Sequence, residues 1–202
     1  MTDALSDDPR WRRLLEGVIE CSNCGGKHHG LFDVAYGKPD AWPGSEEKRP
    51  NAEVLSVSHV LTEDFCILDG RYFFIRAALL LPIRGAEGAA LGLGVWCGLL
   101  EEKFQAYVES FDEGLQARFG SWAGRLSNRL RGYPDTLNLR VRVHPLDGRR
   151  RPQLTLVDDD HPLTREQRDG VTCERLLDIY AAHGHDLRPM LGNGAASVEE
   201  RA

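Results

Sequence analysis

Two thiols two residues apart, in Cys21-Ser22-Asn23-Cys24, are followed by Gly25-Gly26-Lys27-His28-His29 and form half of a metal-binding knuckle. A C-x-x-C turn lets both sulfurs face one ion, and the glycine after it frees backbone N–H groups to approach them; tetrahedral zinc takes four such soft or borderline ligands. No second C-x-x-C and no H-x-x-x-H occurs, so Cys66, Cys97, Cys173 or the local histidines must complete any site. Thiol redox chemistry fits less well. A thioredoxin-type pair opens a helix whose N-terminus lowers the thiol pKa, and Gly25-Gly26 argues against a helix here.

Outside the knuckle, the catalytic candidate is His161, which follows Asp158-Asp159-Asp160 and precedes Pro162. An adjacent carboxylate could orient the imidazole as a general base. The plainer alternative, preferred here, is a helix cap or a surface cluster, because a neighbouring acid is not by itself a catalytic partner. There is no Gly-x-Ser-x-Gly elbow, phosphate loop or dinucleotide fingerprint, and Gly92-Leu93-Gly94 lacks a third glycine. Trp42, in a Pro-rich loop, and Trp122, beside Gly120 and Gly124, read as packing anchors.

The elements that must position these residues follow from periodicity. Asp8-Pro9 opens a helix in which Trp11, Leu14, Leu15, Val18 and Ile19 share one face. Residues 30–50, broken by prolines and glycines, form a long irregular connection expected to lie over the knuckle. Phe65–Leu68, Asp69-Gly70 and Arg71–Ile75 read as a tight hairpin; a second hairpin joins the apolar strand ending at Pro82-Ile83 to Leu91–Leu99 through Gly85–Gly88. From Glu101, the spacing of Phe104, Tyr107, Val108 and Phe111 predicts a core-facing helix. Leu137, Leu139, Val141 and Val143 alternate with polar residues as in a half-buried strand, and Asp147-Gly148 turns it toward Gln153–Val157. Thr164–Gln167 fits a capping box, Gly170 a helix stop, and Thr172 the cap of a last helix burying Leu176, Leu177, Ile179 and Tyr180.

With 202 residues, 42% of them hydrophobic and 28% charged, the chain suffices for one ordinary core. The apolar run from Phe73 to Ile83 is too short to span a membrane and contains Arg76, and the acidic, polar N-terminus is no signal peptide. Five cysteines fit no secreted disulfide framework, so a cytoplasmic location is expected. Nine arginines against Asp135 and Asp147 give Arg118–Arg151 a formal charge of 9 − 2 = +7 within a chain of net −6. That segment could meet an anion, but a solvated face is the plainer reading, and the acidic net charge and missing binding motif argue against nucleic acid.

Several stretches, in order, carry a resemblance. They are Cys21-x-x-Cys24-Gly25-x-x-His28, the Asp64–Gly70 and Phe73–Arg76 hairpin, Gly94-Val95-Trp96, Gly132–Leu139, and His161-Pro162-Leu163 through Glu166-Gln167-Arg168-x-Gly170-Val171-Thr172. Over roughly residues 20–183 the chain resembles the bacterial family catalogued as domain of unknown function 2199, which implies no activity. Ala77–Leu81 and Trp96-Cys97-Gly98 depart from its pattern toward more apolar strands. Because Cys66 lies in a shared hairpin, the resemblance makes Cys21, Cys24, His28 and Cys66 a plausible zinc set, with His29 a substitute for His28.

The expectation is therefore an α+β fold with a mainly antiparallel sheet, packed helices and an N-terminal Cys-x-x-Cys knuckle. Residues 1–19 would be a helical extension, 20–183 one domain and 184–202 a flexible tail. Its function would be that of a zinc-stabilised binding or accessory module for an unknown protein or small-molecule partner. The alternatives are a metal-dependent or His161-based hydrolytic enzyme, and anion or nucleic-acid binding through Arg118–Arg151. Three protein ligands would leave zinc a water to polarise, whereas four would close the site.

Overall fold

Asp8 and Pro9 set the first helix. In the computed structural model, which describes residues 5–192, α1 (Pro9–Glu16) starts where the Asp8 carboxylate accepts the Arg10 N–H at 2.8 Å, with Pro9 in the first turn. Gly17 is extended (φ −92°, ψ 162°) and ends the helix earlier than the apolar spacing suggests. Val18 and Ile19 therefore belong to β1 (Val18–Glu20); Trp11 and Leu14 are buried, while Leu15 and Val18 face solvent.

Next come β2 (Lys27–His29), β3 (Val34–Ala35), a short 3₁₀ segment (Asn51–Ser56) and β4 (Val60–Leu61). Between β5 (Phe65–Leu68) and β6 (Tyr72–Pro82), Asp69 and Gly70 both take positive φ, 53° and 62°, as a two-residue hairpin turn requires. The chain continues through β7 (Ala90–Leu99), α2 (Glu101–Phe111), β8 (Trp122–Leu126), β9 (Arg140–His144) and β10 (Gln153–Leu156). It ends in α3 (Pro162–Asp169), α4 (Cys173–Ala182) and α5 (Arg188–Leu191).

Strands β6 to β10 form a meander, each antiparallel to the one before. After five alternating strands the last runs the same way as the first, so when β10 returns beside β6 the pairing is parallel (Gln153 with Ala78, Leu154 with Leu79). The α+β class holds, but the expected mainly antiparallel sheet is corrected to a closed five-stranded mixed barrel. β5 and β4 extend from β6, and β3 runs parallel to β7. Period-2 alternation sends Ile75, Ala77, Leu79 and Leu81 of β6 into the main core together with Leu91, Leu93, Val95 and Cys97 of β7. Phe104 of α2 packs on Phe65 and Phe73, and α4 contributes Leu176, Leu177, Ile179 and Tyr180.

The opposite face of β5, β6 and β7 carries a second, smaller cluster of Leu61, Cys66, Leu68, Phe74 and Trp96. The irregular connection after β3 covers this cluster with Tyr36 and Trp42, and Trp42 also packs on His59 with ring centroids 4.4 Å apart. Its Asp40 and Lys38 are tied down by the fully buried Asn128, whose Nδ2 donates to Lys38 O at 2.9 Å and to Asp40 Oδ1 at 3.0 Å.

The chain ends differ from expectation. α1 is bound into the domain by Trp11 and Leu14 and by an Arg10–Glu174 ion pair of 2.5 Å to α4. Residues 184–192, expected to begin a flexible tail, fold back with Leu187 and Leu191 buried. The remainder of that segment, 193–202, and residues 1–4 lie outside the described residues. No described helix is long and apolar enough to cross a membrane.

Candidate metal centre

The knuckle is built by main-chain hydrogen bonds across the β1–β2 hairpin. The Cys21 N–H donates to Gly26 O at 2.9 Å and the Gly25 N–H to Cys21 O at 2.8 Å, with Gly25 at φ 69°. This turns both sulfurs to one side, where the Gly26 N–H donates to Cys24 Sγ at 3.3 Å. His28 on β2 reaches Cys24 Sγ with Nε2 at 3.3 Å. Strand alternation points the neighbouring His29 to the other face.

The fourth group comes from beyond α4. His185 brings Nδ1 to 3.9 Å from Cys21 Sγ, and the ligand atoms of Cys21, Cys24, His28 and His185 all lie within 4.8 Å of one another. With metal–sulfur bonds of about 2.3 Å and metal–nitrogen bonds of about 2.0–2.1 Å, a zinc tetrahedron has edges of about 3.3–3.8 Å. The widest edge needs to close by about 1 Å; Cys21 is fully buried, and the exposed Cys24 with the half-buried His28 and His185 have the rotamer freedom to supply that shift.

A ring stack holds the two histidines in place. His28 lies on Phe32 at 4.0 Å and 17°, and Phe32 lies on Tyr180 of α4 at 4.2 Å and 11°. The Tyr180 hydroxyl donates to Phe32 O at 2.9 Å and accepts from the Phe32 N–H at 3.1 Å. His185 meets both His28 and Phe32 edge-on, at 5.0 and 5.3 Å. Burial pushes the Cys21 thiol up, but the N–H groups of Cys24 and Asn23 and the Cys24 thiol outweigh it and hold the group below its ordinary value. Burial, and secondarily His185, hold His28 below the usual imidazole value. Both shifts favour the deprotonated forms that bind metal.

Cys66, expected as a ligand, does not join this group. On β5, Phe65 and Ile67 turn into the main core, so Cys66 faces the covered outer cluster opposite Phe74, fully buried, and burial pushes its thiol up to about 12. Cys97 and Cys173 are likewise buried, their thiols raised to about 12 and about 11. The set brought together is Cys21, Cys24, His28 and His185. The signal that sequence reasoning passed over is His183-Gly184-His185, immediately after the last helix.

His161 is the N-cap of α3. Its Nδ1 accepts the Leu163 N–H at 3.1 Å, so α3 begins at Pro162 and Thr164 lies inside its first turn, not at the cap the box pattern suggested. Asp158 is engaged by Arg140 at 2.6 Å and makes no hydrogen bond to the ring. In the basic segment Arg125 and Arg140 face each other across β8 and β9, but acids neutralise much of the charge: Asp158 on Arg140, Asp135 on Arg129 at 3.5 Å, and Asp64 on Arg151 at 3.0 Å. Trp122 is buried in the main core.

A family model described as an uncharacterized protein conserved in bacteria (DUF2199) matches residues 20–171, a span that holds Cys21, Cys24 and His28 and stops short of His185. No curated protein and no solved structure matches the chain.

Proposed function

Since the chain belongs to the DUF2199 family, whose description carries no activity, we propose from the site itself that it is a zinc-stabilised binding or accessory module. The observation that carries this is the convergence of two thiols and two imidazoles within 4.8 Å from the knuckle, β2 and the segment after α4. Two sulfurs and two nitrogens in a tetrahedron suit zinc over harder or octahedral ions. Four protein ligands leave no position for a water, which favours a structural role over the hydrolytic alternative. The ion would clamp the β1–β2 knuckle to the segment that follows α4, so that folding and metal binding are coupled. All five cysteines are free, as suits a reducing compartment, and we place the protein in the cytoplasm.

Elemental analysis of protein purified without chelator tests this. About one zinc per chain is expected from a four-ligand site, lost in the Cys21→Ser, Cys24→Ser double variant together with part of the thermal stability. Absence of stoichiometric metal, with unchanged melting of the double variant, would remove the proposal.

A further inference from the structure

Beside the metal centre, the connection after β3 joins Arg131 and the end of α4 around a cavity of about 340 Å³, and His185 lines both sites. Small-molecule sites typically measure about 300–1,000 Å³. One wall is fixed by hydrogen bonds. His183 Nδ1 lies 2.8 Å from Ile179 O, an acceptor only, so it carries the proton and leaves Nε2 to accept from the Tyr36 hydroxyl at 2.9 Å. The Arg131 N–H donates to the same hydroxyl at 2.8 Å, and Trp96 Nε1 donates to Tyr36 O at 3.0 Å.

The charges around this wall are not matched to one another. Among the described residues, the Arg131 guanidinium and the Glu46 carboxylate line the cavity without a hydrogen-bond or ion-pair partner, and they do not reach each other. Lys38 Nζ meets only the Gly44 carbonyl, at 2.5 Å, and the Asp33 carboxylate only the Gly92 N–H, at 3.0 Å. The Glu46 carboxylate lies where a side chain on Gly37 would stand, so glycine at that position opens the space it occupies. Charges of both signs, held apart around one preformed cavity, suit a ligand that carries both. We infer that this cavity binds a small zwitterion of the free α-amino acid class, its carboxylate on Arg131 and its ammonium toward Glu46 and Asp33. An arginine fork suits a carboxylate because it can donate two parallel hydrogen bonds. The inference names a ligand for the binding-module reading and rests on it, but not on the metal.

Calorimetric titration of the purified protein with each free L-amino acid tests the inference, followed by the N-acetylated and C-amidated forms of the tightest binder. At least one amino acid should bind in the micromolar range, and each blocked form should bind about tenfold or more weakly, the size of one lost charge-assisted contact. Arg131→Ala and Glu46→Gln, both at solvent-exposed residues, should each weaken binding by a similar factor with melting and metal content unchanged. Failure of every amino acid to bind more tightly than millimolar, or binding that survives both substitutions, overturns the inference. Metal content measured on the same sample separates the two readings: saturable binding without metal supports this inference and removes the zinc site, whereas a full metal complement without binding does the reverse.

Discussion

Replacing His185 by alanine removes one of the four proposed ligands and leaves the barrel untouched. Loss of a partner that merely orients a ligand weakens metal affinity by about 10–100-fold, so loss of a ligand itself should reach at least the upper end. With free zinc well above the dissociation constant, a hundredfold weaker site lowers the stability of the folded state by about 2.7 kcal/mol. For a domain of this size that is a fall in Tm of about 5–11 °C. In excess chelator the metal contribution vanishes from both proteins, and what His185→Ala then removes is ring contact with His28 and Phe32, at 5.0 and 5.3 Å. An aromatic pair is worth about 0.5–1.5 kcal/mol, so the gap in Tm should shrink by about half or more. Thermal melts of wild type and His185→Ala, each with zinc and with chelator, give the four values needed. A gap of the same size in both conditions would mean that His185 acts by packing alone and not through a metal.

Cys66→Ala should cost about 1 kcal/mol through the small cavity it leaves among Leu61, Phe74 and Trp96, and metal content should stay at the wild-type value; a drop would return Cys66 to the ligand set. Asp8→Ala should cost about 1 kcal/mol at neutral pH as a lost cap. The Arg10 side chain holds the Asp8 carboxyl below its usual value, so its contribution is complete above the ordinary carboxylate range and fades as pH falls through the depressed folded value. The gap between wild type and variant should therefore close below about pH 4, and a constant gap under acid would contradict this. His161→Ala should cost about 1 kcal/mol or less in urea unfolding, because the lost cap is offset by removal of the buried, unpaired Nε2; a loss above about 2 kcal/mol would mean that the ring does more than cap.

Elements whose cause is local were legible in the sequence. The Asp69-Gly70 turn, the Asp8 and Thr172 caps and the buried face of α4 are set by residues within a turn or two of each other. Barrel closure was not, because the β10–β6 pairing joins strands distant in the chain and their alternation suits an open sheet equally well. β8 escaped notice because Trp122 and Leu126 flank a short stretch with a glycine at its centre. The knuckle turn could be read from the spacing of Cys21 and Cys24. Its completion could not. His185 arrives from 164 positions away, while Cys66, also a thiol, is turned from the site by the parity of its strand. The cavity around Tyr36 and His183 was invisible for the same reason, being assembled from a loop, a strand connection and the end of a helix.

X-ray absorption at the zinc edge, on protein purified without chelator, reads the donor atoms around the ion themselves. The expected spectrum is that of a four-coordinate ion with two sulfurs at about 2.3 Å and two imidazole nitrogens at about 2.0–2.1 Å. A shell with three sulfurs, or one with water oxygen in place of a nitrogen, would contradict the Cys21, Cys24, His28 and His185 site.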